Sequence, residues 1–433
     1  MDLLLKNAQV MDPGHLDGRM NILVRKGHIH SIVPVAKDRG PTSDLPGAAN
    51  DLQIIDLEGK IVAPGLVDMH VHFREPGQEH KETIESGSRA AAHGGFTAVC
   101  TMPNTNPVND ALEITSFIQR KAHEAGLIKV YPCAAISYSL KGERLTDFEA
   151  LKKAGVVALS DDGMPVKGSL IMRKALERAK AVDLPIISHA EDLDLAADGA
   201  MNEGPVAEAL NIKGIPNAAE SIMVMRDVAL AELTGAHVHI AHVSTAESVA
   251  TIRWAKDRGI RVTGETAPHY FMLTHEAVKT GGTHAKMNPP LRSEKDRQAI
   301  IEGLVDQTID AIATDHAPHH QDEKKVMFEK APNGVIGLET SLSLSLALVS
   351  QGVLTLSDLI RLMSTNPSKI LNIPSGLRIG AAANMTAIDL KRPVQVQADT
   401  FQSKSRNTPF EGWKMAGGPV LTLVDGKIVY CAR

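Results

Sequence analysis

Short apolar runs recur through the middle of the chain at intervals that suit strands alternating with helices. They lie near 61–69, 96–102, 128–136, 155–159, 184–188, 236–241, 260–264 and 309–313. Runs this short, bounded by turn residues, read as buried strands. Between most of them apolar residues return at helical spacing, from Glu82 to His93, Ala111 to Ala125, Ile171 to Ala181, Ala218 to Leu233, Ala246 to Arg258 and Lys295 to Asp306. Eight strands alternating with helices predict an α/β fold, a parallel sheet closed as a (β/α)8 TIM barrel. The two ends read differently. Leu3-Leu4-Leu5, Asn21-Ile22-Leu23-Val24 and Gln53-Ile54-Ile55 near the start, and Met385 to Leu390 and Val420 to Tyr430 near the end, are β-like runs separated by turns. They predict a small composite β-sandwich domain built from residues 1–60 plus 375–433, around a barrel spanning 61–374.

Composition narrows the picture a little. Apolar residues make up 43% and charged residues 22% of the 433, an ordinary globular balance. Aromatics at 3% and a net charge of -5 argue against nucleic acid as a partner, since neither stacking surface nor cationic surface is provided. No apolar run is long enough to span a membrane. The N-terminus lacks a signal-peptide pattern, and the three cysteines are scattered without a paired motif, so a reducing, cytoplasmic setting is expected. No glycine-rich phosphate loop opens any of the helices.

Chemistry in a barrel sits where the strands end. His70 and His72, two apart, share one face of an extended strand and make half a metal site. Asn104 follows the second strand, Asp161-Asp162 the fourth, His189 the fifth, His242 the sixth, and Asp315 with His316 and His319 the eighth. Four histidines and two carboxylates therefore converge on one mouth. Asp315 at the strand end is the natural hard ligand, leaving His319 further out to face a substrate. Spacing does not separate Asp161 from Asp162. His237 and His239 lie inside their strand rather than at its end, which suits structural histidines, and His269 suits a structural or outer role. The polar run from His319 to Gly334 reads either as a solvated connection or as a lid.

Together these residues resemble the amidohydrolase superfamily, and within it the bacterial class I dihydroorotases. The similarity spans essentially the whole chain. It is carried by Asp68-Met69-His70-Val71-His72-Phe73-Arg74-Glu75-Pro76-Gly77, Met102-Pro103-Asn104-Thr105, Asp161-Asp162-Gly163, His189-Ala190-Glu191-Asp192, Thr314-Asp315-His316-Ala317-Pro318-His319 and Gly337-Leu338-Glu339-Thr340. The resemblance implies a zinc-dependent cyclic amide hydrolase that interconverts N-carbamoyl-L-aspartate and L-dihydroorotate in pyrimidine biosynthesis. It implies two zinc ions per subunit: His70, His72 and Asp315 on one, His189 and His242 on the other, and Asp162 with a hydroxide bridging both. The lysine that bridges the metals in many relatives has no counterpart in Val156-Val157-Ala158-Leu159-Ser160.

Asp315 would move the proton during ring opening and closure. Arg74, Asn104, Asn288, His319 and the backbone of Asn333 and Gly334 would bind the substrate, with Arg74 facing its carboxylate. The resemblance also implies a homodimer, with association to aspartate transcarbamoylase as in some relatives. The rival readings are a hydantoinase or allantoinase, and a non-catalytic partner of that transferase. The missing lysine and Arg74-Glu75-Pro76 oppose the first. The intact histidines oppose the second.

Overall fold

The computed structural model describes residues 2–35 and 52–432. Its centre is a parallel sheet of eight strands in chain order: β1 (Leu66–Val71), β2 (Phe96–Thr101), β3 (Lys129–Ala134), β4 (Ala158–Leu159), β5 (Ile186–Ser188), β6 (Val238–Ile240), β7 (Val262–Thr266) and β8 (Ala311–Ile312). The ring closes just past the strand ends, where Val71 and His316 form a parallel bridge and the His72 N–H donates to the His316 carbonyl at 2.8 Å. This is the TIM barrel the alternation predicts. Helices α1 (Ile84–His93), α2 (Leu112–Ala125), α3 (Phe148–Lys153), α4 (Ser169–Ala181), α5 (Ala218–Thr234), α6 (Ala246–Asp257), α7 (Glu294–Val305) and α8 (Ser341–Ser350) complete the alternation. One apolar cluster joins the outer faces of the strands to these helices, including Leu66, Val71, Phe96, Ile84 and Ala90. A second, of smaller side chains such as Val67, Cys100, Cys133, Ala158 and Ala311, fills the barrel interior.

The apolar run 61–69 is not one strand. Ile61–Pro64 belongs to the sheet of the termini, parallel to Asp2–Asp12 and antiparallel to Met385–Gln395. β1 begins only after Gly65, where a Cβ would stand 2.0 Å from Thr97 Oγ1, so the chain turns from one sheet into the other at a point too tight for a side chain. Both halves are buried, and hydrophobicity marks burial without marking which sheet supplies it. The run 155–159 likewise shrinks to Ala158–Leu159.

The termini form one continuous sheet, in the order Lys427–Cys431, Lys414–Val424, Met385–Gln395, Ile61–Pro64, Asp2–Asp12, Leu16–Arg25, His28–Pro34, with Leu52–Asp56 paired to Asp2–Asp12. Leu5, Val10, Ile22, Met385 and Leu423 share its core. No described helix is long and apolar enough to cross a membrane.

Candidate metal centre and substrate pocket

An irregularity in β1 sets up the site. Leu66 and Val71 both pack in the outer cluster, although five residues apart on a regular strand they would face opposite ways. The register shift between Asp68 and Val71 accounts for this and turns the two residues flanking Val71 inward. His70 and His72 thus point into the mouth of the barrel. Opposite them, at the end of β4, stands Asp162. Its Oδ1 lies 3.3 Å from His70 Nε2, 3.6 Å from His189 Nδ1 and 3.7 Å from His242 Nε2, and its Oδ2 lies 3.5 Å from His72 Nε2.

Two groups here could hold a metal ion, His70 with His72 and Asp162, and Asp162 with His189 and His242. Asp162 is common to both. Asp315 Oδ1 approaches the first group, 3.1 Å from His72 Nε2 and 3.7 Å from His70 Nε2. The atoms fit a cation well. His70 Nε2 and Asp162 Oδ1 are buried without a hydrogen-bond partner, although both face the centre of the cluster. Buried polar atoms left unpaired are costly, and nitrogen and carboxylate donors are what zinc takes.

Three of the four histidines are held from behind, whereas His242 Nδ1 is buried without a partner. His70 Nδ1 lies 2.6 Å from Glu265 Oε1, and burial opposed by the His70 charge leaves that carboxyl lowered to about 2. His72 Nδ1 donates to Asn104 Oδ1 at 2.8 Å, and the Asn104 amide reaches Asp162 Oδ2 at 3.3 Å. His189 Nε2 lies 3.1 Å from Glu191 Oε2. Burial disfavours the His189 charge, but the neighbouring Asp162 and Glu191 carboxylates outweigh it and raise the imidazole to about 10. Asp161 points away, accepting from the Ser137 N–H at 3.0 Å and from the Ser137 hydroxyl. The structure thereby separates the two aspartates that spacing left equivalent.

A cavity of about 200 Å³ opens above the cluster. Every site residue named from the sequence lines it except His70, which sits beneath its floor. Arg74 lines the cavity, anchored by Nε donating to the Pro318 carbonyl at 3.1 Å and with Nη2 3.4 Å from His319 Nε2. Burial lowers Arg74 to about 10, still charged at neutral pH. His319 Nε2 donates to the Asn333 carbonyl at 2.7 Å, and Lys81 Nζ is 3.4 Å from Nδ1. Burial, then the Arg74 and Lys81 charges, lower His319 to about 2, so it is neutral. Asn288 donates to Glu191 at 3.0 Å. Arg74, His242 and Asp315 all adopt positive φ, at 62°, 34° and 47°. Non-glycine residues in that region carry strain, and strain of this kind gathers at functional sites.

The polar stretch after His319 is mostly exposed, as a solvated connection would be, but it is pinned at one point. Lys324 is buried, and its ammonium donates to the carbonyls of Thr283, Lys286 and Pro332 at 3.1, 3.3 and 2.7 Å. Lys286 in turn donates to Phe328, Glu329 and Ala331 carbonyls. His239 donates its Nδ1 toward Thr263 Oγ1 at 2.8 Å, with Nε2 3.4 Å from Glu265, and lies beneath the site rather than in it. Sequence reasoning missed Glu265. It sits one residue past the 260–264 run, and only the folded barrel brings it beside His70 of β1 and His239 of β6.

Residues 59–248 match the model of the family described as Dihydro-orotase-like. The dihydroorotase of Desulforapulum autotrophicum is 53% identical over 430 residues, covering 99% of both chains. That of Syntrophus aciditrophicus is 52% identical over 432 residues, again covering 99% of both. Among solved structures, the L-hydantoinase (dihydropyrimidinase) of Arthrobacter aurescens superposes with a TM-score of 0.86 at 26% identity, over 99% of this chain and 96% of that one. The dihydropyrimidinase of Brevibacillus agri shares the fold, with a TM-score of 0.82 at 22% identity over 100% and 95%. Identity above one half along the whole length, on a barrel whose mouth gathers these histidines around one aspartate, shows that the chain belongs to the dihydroorotase family.

Proposed function

We propose that the protein is a zinc-dependent dihydroorotase acting at this mouth. It interconverts N-carbamoyl-L-aspartate and L-dihydroorotate, one step in pyrimidine biosynthesis. The observation that carries the reading is Asp162, a single buried carboxylate faced by four imidazoles with a histidine pair on either side. His70, His72 and Asp315 would hold one zinc and His189 with His242 the other, with Asp162 on both. Zinc held there would supply Lewis acidity, activating water near neutral pH and polarising the ring carbonyl.

The chain's own groups supply the rest. Arg74 presents its planar fork to the substrate carboxylate, and its buried surroundings strengthen that pairing. The neutral His319, with Asn288 and the backbone of Asn333 and Gly334, holds the ring in place. Asn104 fixes the His72 ring and the Asp162 carboxylate in one stroke, which makes it an orienting group as well as a pocket wall. In ring opening Asp315 accepts the proton of the attacking water and delivers it to the ring nitrogen as the C–N bond breaks. In ring closure it takes a proton from the carbamoyl nitrogen and returns it to the departing hydroxyl, which leaves as water. Burial opposed by the surrounding histidines holds the Asp315 carboxyl well below the usual range, so it begins as a base.

Steady-state assay of the purified chain in both directions tests the reading, with Arg74→Met beside the wild type. The expected outcome is turnover that a chelator abolishes, and a KM for dihydroorotate raised about tenfold or more in the variant. Absence of turnover in the metal-replete protein would refute it.

A further inference from the structure

One wall of the pocket is made of two pieces of barrel chain, 316–319 and 333–336, which contribute Ala317, His319, Asn333 and Gly334 to its lining. They pair like strands, through the parallel bridge between His316 and Val335 and the Ala317 N–H donating to the Val335 carbonyl at 2.8 Å. A residue from outside the barrel completes the joint. Asn407 lies in the segment between the terminal-sheet strands Met385–Gln395 and Lys414–Val424, and it is 1% exposed. Its Oδ1 accepts from the His319 N–H at 3.1 Å, and its Nδ2 donates to both the Ala317 and Gly334 carbonyls at 3.0 Å. Its own carbonyl accepts from the Ile336 N–H at 3.0 Å. Both donors of the side-chain amide are thus spent on backbone that borders the pocket.

The segment bearing Asn407 is itself fixed. The Gln402 and Ser403 N–H groups donate to Glu339 at 2.9 and 3.1 Å, the Lys404 N–H donates to Glu82 at 3.2 Å, and the Ser405 hydroxyl donates to the Lys81 carbonyl at 2.8 Å. Glu82 is fully buried and Glu339 partly so, which shields this attachment from solvent. Asn407 is therefore presented to the pocket wall from a rigid support.

We propose that Asn407 is a positioning residue for substrate binding, which sets the spacing of His319 and Gly334 through its amide and ties the C-terminal segment to the pocket. The inference rests on the reading of His319 and Gly334 as substrate contacts. An amide placed this way acts on KM rather than on the metal chemistry, because none of its hydrogen bonds reaches a metal-group residue. Asn407→Asp keeps the volume and the acceptor but turns an oxygen toward the two carbonyls. Asn407→Ala removes all three side-chain bonds.

The test measures KM and kcat for dihydroorotate, together with metal content, in the full chain carrying Asn407→Ala, Asn407→Asp or His319→Ala. In both Asn407 variants KM should rise about tenfold, with kcat within about threefold and metal content as in the wild type. Should Asn407→Ala not fold, the isosteric Asn407→Asp bears the same expectation. If His319→Ala raises KM while the Asn407 variants keep the wild-type value, the positioning role is overturned. Lower activity at unchanged KM, with reduced thermal stability, likewise overturns it in favour of a purely structural amide. An unchanged KM in His319→Ala instead removes the reading of the pocket wall on which the inference stands.

Discussion

Gly334→Ala is the most informative single perturbation of the pocket. Gly334 has a φ of +132°, a conformation open in practice only to glycine. A Cβ there would lie 2.6 Å from Ala317 Cβ, 2.9 Å from the Ala317 carbonyl oxygen and 3.2 Å from His319 Nε2. Carbon atoms in contact prefer roughly 3.5–4.0 Å, so the 333–335 strand must retreat by about 1 Å. The backbone strain adds about 1–3 kcal/mol. The retreat breaks the 2.7 Å bond between His319 and the Asn333 carbonyl, because the same strand carries both Asn333 and Gly334. A displacement of about 1 Å at a positioning group costs up to about a hundredfold in kcat/KM. Initial rates over a range of dihydroorotate concentrations, with a thermal melt to confirm folding, measure this directly. A folded Gly334→Ala protein with kcat/KM within about threefold of the wild type would show that this strand does not border the bound substrate, and the reasoning would fail.

Other perturbations reach other parts of the account. Glu265→Gln keeps an acceptor for His70 but removes its charge, and metal affinity measured by competition with a chromophoric chelator should fall about 10–100-fold; unchanged affinity would make Glu265 a structural residue only. Asp162→Ala should leave at most one metal per chain by elemental analysis, since both groups share that carboxylate, and full occupancy would contradict a shared ligand. Lys324 gives a pH test. Burial, then the Lys286 charge, lower it from 10.5 to about 7. Between those values the unfolded chain binds a proton the native chain lacks, so stability contributed by Lys324 rises with pH across the window. The stability difference between wild type and Lys324→Met in urea unfolding should therefore move in favour of the wild type from pH 7 to pH 9, and a difference that stays flat would reject the shift.

Much of the barrel is legible in the chain because each strand and helix carries its own periodicity. The helix limits fall within two residues of the patterns, as in Ile84–His93 and Ala218–Thr234. Helix α8 escapes because Ser341-Leu342-Ser343-Leu344-Ser345-Leu346 alternates with the period of a strand, yet the helix is buried on nearly every side and needs no polar face. The join at Gly65 escapes because Ile61–Pro64 pairs with strands from the two ends of the chain, one of them more than 320 residues away. The rim residues were legible by position, at strand ends. Their supports were not. Glu265, Ser137 and Asn407 gain meaning only from contacts across the fold, and nothing local in the sequence marks them. Asn104 shows the limit of position alone, since it lines the cavity and also orients His72 and Asp162.

In the proposed mechanism, two cations held around Asp162 carry the ring chemistry. Zinc is titrated into metal-free protein while dihydroorotate turnover is followed. No activity is expected in the metal-free protein, and a rise that levels off at about two equivalents per chain. Full turnover without metal, or saturation without any activity, would contradict it.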